Sequence, residues 1–378
     1  MIYLDNAATT LKKPRAVYKA VNSAMRRCAN AGRGAYKLSS EADRNIYKCR
    51  ESIGMLFNTP HIDRICFTKN TTEALNFAIL GTMSGGGHCV IGSMEHNSVL
   101  RPVHKLYTDG VIEYDIAQAG ADGVVTLDSV APLIREDTRL IAINHASNVC
   151  GSISEIEKIA TEATARGVYF LVDAAQSGGA VDINLEKLPI SMLAFAGHKG
   201  LYGPQGTGGL YIAPDINLAS TITGGTGSMS KSYTQPEMLP DRFESGTLNM
   251  PGIYALSRGV DYVRKRTVAD IAAHERELTG MMLDALLNMS NITVYGTYNL
   301  DKRTGVISFN IGERDCVEIS GELFKFYKIC TRSGLHCAPL AHKSLKTIDR
   351  GTVRLSFSAF TTKREVASAI NAINLLRK

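Results

Sequence analysis

Several absences narrow the chemistry open to this chain. None of its eight cysteines (Cys28, Cys49, Cys66, Cys89, Cys150, Cys316, Cys330 and Cys337) belongs to a C-x-x-C pair, so neither a zinc knuckle nor a thioredoxin-like dithiol is expected. No apolar run reaches the roughly 18 residues that a membrane span needs. The opening residues MIYLDNAATT carry neither a charged n-region nor an apolar h-region. A cytoplasmic location is therefore expected, with reduced thiols that are mostly small core side chains. Charge of one sign is not concentrated either. The 42 Lys and Arg stand against 36 Asp and Glu, a formal +6, and cluster only at Arg26-Arg27 and Arg264-Lys265-Arg266. Solvated helix faces account for these, so no nucleic-acid surface is expected. Repeats, low-complexity tracts and long linkers are also missing.

What is present is an ordinary globular composition, 44% hydrophobic and 21% charged over 378 residues, enough for one large domain and a smaller one. RICFT (64–68), HCVIGS (88–93), RLIAINHAS (139–147), VYFLVDAA (168–175), MLAFAG (192–197) and TGGLYIA (207–213) read as buried strands. TTEALNFAIL and ISEIEKIATEATARG, between them, carry the 3.6-residue period of helices. The alternation predicts an α/β domain with a mostly parallel sheet covered on both faces. After Pro251 come one long helical stretch (255–289) and strand-like pieces around another helix, TGVISFNI and TVRLSFSAF. The predicted division is a large domain over 15–254, a small C-terminal α+β domain over 255–378, and an N-terminal segment, 1–14.

Ligands of such sheets bind beyond the carboxyl ends of the strands, which directs attention to the polar residues there. Strand 64–68 leads into Asn70-Thr71-Thr72-Glu73 at a helix start, suited to an anion such as phosphate, or to an ordinary helix cap. Strand 88–93 leads to His96, a catalyst or merely a hydrogen-bonded histidine. Strand 139–147 delivers Asn148, and strand 168–175 delivers Asp173 and then Gln176. A buried acid needs a cationic partner or a cap. The next strand brings Lys199, beside His198 and followed by five glycines. A lysine against an apolar wall has its amine pKa lowered and is disposed to Schiff-base formation. The glycines read as a loop that lets a flat, phosphate-bearing cofactor approach the backbone. They precede a strand rather than opening a helix, which argues against a dinucleotide loop. An anion-binding helix start, an acid at a strand end and a lysine at a later strand end together match pyridoxal phosphate.

The chain also resembles the cysteine desulfurases of the class V aminotransferase superfamily, the NifS/SufS-like proteins. The likeness runs through YLDNAATT, NTTEALN, EHNS, ASNVCGSI, VDAAQS, GHKGLYGPQGTGGLYI, ESGTLNMPG, RSGLHCAP and VRLSFSAF. It implies the fold-type-I transferase architecture, with a mostly parallel seven-stranded sheet. It also implies that Lys199 carries the cofactor imine, Asp173 pairs with the pyridinium nitrogen, Gln176 meets the ring hydroxyl and His96 stacks on the ring. Thr71, Thr72 and His198 would bind the phosphate, and Thr247 would reach the cofactor of the neighbouring subunit, which makes a homodimer. Asn148 and Arg354 would orient the substrate, the arginine by gripping its carboxylate.

The frame Arg332-Ser333-Gly334-Leu335-His336-Cys337-Ala338 matches the SufS-like branch, in which the cysteine is the nucleophile. Arg332 and His336 would favour its thiolate. The implied reaction converts L-cysteine to L-alanine and leaves a persulfide on Cys337 for a sulfur-acceptor protein or small thiol, with His96 as proton shuttle. Ala196 stands where that branch commonly has serine, Leu335 replaces a usual histidine, and GGTGSMSKS (224–232) differs from the expected glycine loop. A selenocysteine lyase would use the same residues, with L-selenocysteine as substrate. An aminotransferase or simple cysteine C–S lyase would not depend on Cys337, and a non-catalytic binding protein would need none of these groups.

Overall fold

After a two-residue strand β1 (Ile2–Tyr3), the chain lays down β2 (Ile65–Thr68), β3 (Gly87–Gly92), β4 (Ile112–Ala117), β5 (Thr138–Asn144), β6 (Tyr169–Asp173), β7 (Met192–Ala196) and β8 (Gly208–Ile212). In this computed structural model, which describes residues 1–32 and 34–377, the last seven form one sheet in the order β2-β8-β7-β6-β5-β3-β4. The apolar runs are continuous because both faces are covered. Ile141 and Ile143 of β5 pack with Phe170, Val172, Leu193 and Phe195 on one face, whereas Leu140 and Ala142 pack with Leu171, Met192 and Ala194 on the other. Helices 37–56, 156–165 and 250–266 cover the first face. Helices 71–83 and 97–108 cover the second.

Three features differ from the sequence reading in detail. β4 is absent from the apolar runs because it is an edge strand: Glu113, Tyr114 and Asp115 break its hydrophobicity, and it pairs only with β3. β8 is antiparallel to both β2 and β7, a direction that an apolar run does not encode. The helical stretch after 255 is two helices, Met250–Arg266 and Val268–Leu287. Thr267 breaks it by adopting φ 70° and accepting the Asp270 N–H on its hydroxyl as the second helix's cap.

A second sheet is built from β9 (Ile292–Tyr295), β10 (Val306–Ile311), β12 (Arg332–Gly334) and β13 (Thr352–Ser356), in the antiparallel order β12-β13-β10-β9. Its core joins Ile307, Phe309, Val353 and Leu355 to Leu278, Met282, Leu323 and Ile373 of the covering helices. The short β11 (Ile329–Cys330) pairs in parallel with β1. The chain start is tied to the second sheet by Ser356 of β13, which donates its N–H to the Leu4 carbonyl and accepts the Ala7 N–H on its hydroxyl. Thr10 then donates its N–H to the His198 carbonyl. The first ten residues thus bridge the second sheet and the lysine loop. Among the described residues, no helix is long and apolar enough to cross a membrane.

The segment before Thr247 is anchored by a buried ion pair. Arg50, on helix 37–56, donates to both Glu244 oxygens at 2.7 and 2.5 Å, and Phe67 N–H donates to Glu244 Oε1 at 2.6 Å. Removing one partner strands the other charge in the interior. Glu244→Ala is expected to cost about 3–5 kcal/mol, read as a lowered urea midpoint. A loss below about 1 kcal/mol, the range of solvent-exposed pairs, would mean that water screens this pair.

Candidate active site

The sheet order makes the site. β6 lies between β5 and β7, so Asp173 sits opposite Asn144, one strand from the β7 end that leads to His198 and Lys199. One pocket is lined by Thr71, Thr72, His96, Asn148, Asp173, Gln176, His198, Lys199, Cys337 and Arg354. Ten of the eleven residues expected at the site therefore meet. Thr247, the eleventh, is exposed and lies outside this pocket.

At one end, helix 71–83 points its amino terminus into the pocket. Asn70 caps it by accepting the Glu73 N–H at 3.0 Å. The cap and the anion site coexist, because capping leaves the Thr71 and Thr72 N–H groups without intrahelical partners. The buried Thr71 hydroxyl and His198 Nδ1 have no partner. Thr72 is already engaged: its hydroxyl lies 2.7 Å from that of Ser98, which lies 2.8 Å from His96 Nδ1. Ser98 N–H also donates to His96 Nδ1 at 3.1 Å. Nδ1 is therefore an acceptor, and in the neutral ring Nε2 carries the proton. Burial and the neighbouring Lys199 push His96 down to about 4, so the ring is neutral near pH 7.

Asp173 is buried, with the Ala175 N–H donating to its Oδ1 at 2.9 Å. Burial raises its pKa, against the pull of that N–H and of Lys199. Burial also pushes Lys199 down, to about 8, against the pull of Asp173. Gln176 donates its amide N–H to the Ala7 carbonyl at 2.9 Å. Of the glycines after Lys199, Gly200, Gly203, Gly208 and Gly209 serve packing of the protein on itself. A Cβ on Gly200 would stand 2.3 Å from the Gly178 carbonyl oxygen, and one on Gly203 would stand 2.6 Å from Leu256 Cδ1.

The second sheet closes the other side. Arg354 on β13 donates to the Asn148 carbonyl at 2.8 Å and to Asp5 at 3.1 Å. Asn148 in turn donates its amide N–H to the His336 carbonyl at 2.8 Å. Cys337 is exposed at the pocket edge, a free thiol. The cations expected to favour its thiolate are otherwise committed. Arg332 binds Asp5 with both Nε and Nη2. His336 is neutral, pushed down to about 2 by burial and then by Arg354. Asp5 and Ser98 escaped the sequence reading as site residues; their only signal was membership of YLDNAATT and EHNS.

The family profile described as aminotransferase class-V matches residues 2–368. The chain belongs to the class-V aminotransferase family. Within it, the chain is similar to a probable cysteine desulfurase of Pyrococcus abyssi, 35% identical over 100% of this chain and 94% of the relative. A second probable cysteine desulfurase, from Methanothermobacter thermautotrophicus, is 34% identical over 97% of this chain and 92% of the relative. Among solved structures, the apo cysteine desulfurase of Thermococcus onnurineus NA1 superposes with a TM-score of 0.93 at 32% identity, covering 99% of this chain and 94% of that one. The fold expected from the resemblance is thereby borne out for this class-V member.

A lysine amine with a pKa of about 8 reacts as the free base above that pH. Trapping of a small aldehyde on Lys199 of the apoprotein by borohydride is expected to rise with pH to half-maximum near 8. A midpoint near that of ordinary surface lysines, roughly 10.4, would mean that water reaches the amine.

Proposed function

We propose that the chain is a cysteine desulfurase that moves the sulfur of L-cysteine onto Cys337 and releases L-alanine. The observation that carries this reading is the exposed thiol of Cys337 on the edge of the same pocket as Lys199 and Asp173. The cysteine desulfurases to which the chain is similar support it.

The pocket fits pyridoxal phosphate. Thr71 and His198 offer unpartnered buried polar atoms at the helix start, Asp173 offers a buried carboxyl for the pyridine nitrogen, and Lys199 offers an amine for the aldehyde. When bound, the cofactor supplies an electron sink that acidifies the substrate's α-carbon and weakens its C–S bond. Arg354 and Asn148 orient the substrate carboxylate. Lys199, as the free amine, accepts the α-proton at Nζ. His96 presents a neutral ring with Nε2–H as a donor, which can hydrogen-bond the substrate sulfur as its proton leaves. The Cys337 thiolate attacks the substrate sulfur: an S–S bond forms and the C–S bond breaks. The electron pair of that bond stays with carbon, which takes up a proton as the methyl group of alanine. Both sulfurs are oxidised to the persulfide level and the β-carbon is reduced, so no external oxidant is required.

The persulfide on an exposed residue calls for a sulfur acceptor, a protein or a small thiol. Thr247, exposed and outside its own pocket, supports a homodimer in which it serves the partner's site. The eight free thiols support a reducing compartment such as the cytoplasm.

The decisive comparison is L-cysteine turnover with reductant by wild type and by Cys337→Ala, both loaded with pyridoxal phosphate. Wild type is expected to release sulfide and alanine in equal amounts, and the variant to bind cysteine but lose sulfide release by roughly a hundredfold or more. Full activity in the variant, or pyruvate and ammonia in place of alanine, would overturn the desulfurase in favour of a lyase.

A further inference from the structure

Where helix 71–83 meets the pocket, the groups that line it carry no charge. Thr71 and Thr72 offer hydroxyls and helix N–H groups, and burial pushes the His198 ring down to about 4. Lys69, just before that helix, is committed to Glu73 at 3.1 Å. Two cations act on the His198 ring: Lys199, which the proposed reaction engages with the cofactor's aldehyde, and Lys13. Lys13 lies on the N-terminal segment behind His198 and does not line the pocket. Its Nζ donates to the His198 carbonyl at 3.1 Å and to Thr10 Oγ1 at 2.6 Å. The same carbonyl also receives the Thr10 N–H at 3.1 Å and the Thr9 and Thr10 hydroxyls at 3.2 Å. A carbonyl oxygen has two lone pairs, so with four donors in reach the bond from Lys13 is dispensable as a tether. Its charge is not duplicated. Burial pushes the Lys13 amine down to about 8, which leaves it protonated near pH 7, and among the described residues no carboxylate offsets it. An ammonium group withdrawn from water without a counter-charge is costly to keep.

We propose that Lys13, standing behind His198, supplies the positive charge that anchors the cofactor's phosphate in a site whose direct contacts are neutral. This rests on the reading above, in which Thr71, Thr72 and His198 receive that phosphate. A phosphate beside the His198 ring lies within the field that Lys13 already exerts on the ring. His198 itself stands between the two charges, so their attraction is screened less than it would be across open water. Lys13 is a positioning residue rather than a catalytic one, since it reaches the site only across His198. A mere tether of the lysine loop would act through Lys199 and would therefore treat every aldehyde alike.

The test is titration of the apoprotein with pyridoxal phosphate and with pyridoxal, which lacks the phosphate, followed by absorbance as each aldehyde bonds Lys199. In Lys13→Gln, which keeps a hydrogen-bond donor but loses the charge, the affinity for pyridoxal phosphate is expected to fall about fivefold, the scale of a partly exposed ion pair. The affinity for pyridoxal should not change. Lys13→Arg, which keeps the charge, should stay close to wild type with both. Equal changes for the two aldehydes, an unmoved ratio, or the same loss in the Arg and Gln variants would overturn the proposal. Should Lys13→Gln not fold, wild type carries the test. Acetylation of Lys13 by acetic anhydride, read by mass spectrometry, is expected to slow severalfold with pyridoxal phosphate bound, because a nearby anion raises the amine's pKa, but not with pyridoxal bound. Equal slowing by both would overturn the proposal. Wild type that takes neither aldehyde refutes the cofactor reading and the role of Lys13 with it, whereas wild type that takes both with an unmoved ratio in Lys13→Gln refutes the role of Lys13 alone.

Discussion

A partly buried amine and a buried carboxyl, at the carboxyl ends of neighbouring strands, form the constraint on which the rest of this structure turns. Burial drives Lys199 and Asp173 toward their neutral forms, and their mutual attraction draws each part of the way back. Such a pair is costly to maintain without a rigid frame. The frame is the sheet interior: β6 and β7 are buried along their whole lengths apart from Tyr169, with apolar layers on both faces. The antiparallel β8 returns beside β7, and the lysine loop between them is pressed against the Gly178–Gly179 turn so closely that Gly200 admits no Cβ. The N-terminal segment then fastens that loop from the other side, through Thr10 and the His198 carbonyl.

The fold was legible where hydrophobicity alone decides it. Strands buried on both faces announce themselves as apolar runs, and six of the seven strands of the main sheet did so. An edge strand with charged positions carries no such mark, which is why β4 passed as a connection. Strand direction was invisible for the same reason: the side chains of β8 satisfy a core equally well in either sense. The break at Thr267 is a local backbone matter. A threonine with positive φ is sterically unfavourable, and no propensity argument places one inside an otherwise periodic stretch.

The site was legible by a different route. Its residues lie at strand ends, and each apolar run pointed to the polar group that followed it. What the residues alone could not show was how those groups use one another. In sequence the glycines after Lys199 read as room for a ligand; at four of the five the chain itself fills that room. Arg332 and His336 were read as cations that serve Cys337, whereas one is paired to Asp5 and the other is neutral. In each case a residue more than a hundred positions away, or a turn of the same sheet, holds part of what the sequence assigns to a ligand or a nucleophile.

Cys337 itself is presented by strained backbone. His336 and Cys337 adopt φ 48° and 56° in succession, left-handed geometry that costs of order 1–3 kcal/mol per residue outside glycine. Three tethers sustain it: Asn148 donates to the His336 carbonyl, Asn97 N–H donates to the Cys337 carbonyl, and Ala338 N–H closes back on Leu335. The His336 ring, buried against Thr352, adds a fourth. Each tether grips a backbone group or the histidine ring, and none grips the thiol. The loop thus fixes where the sulfur starts from while leaving the sulfur itself exposed to solvent. Under the proposed reaction, a nucleophile that takes sulfur from the pocket and then surrenders it outside needs that division. Burying Cys337 would improve the first step and forbid the second. With the backbone held at the rim and the side chain free, one residue lines the pocket and meets solvent, as the proposed reaction requires.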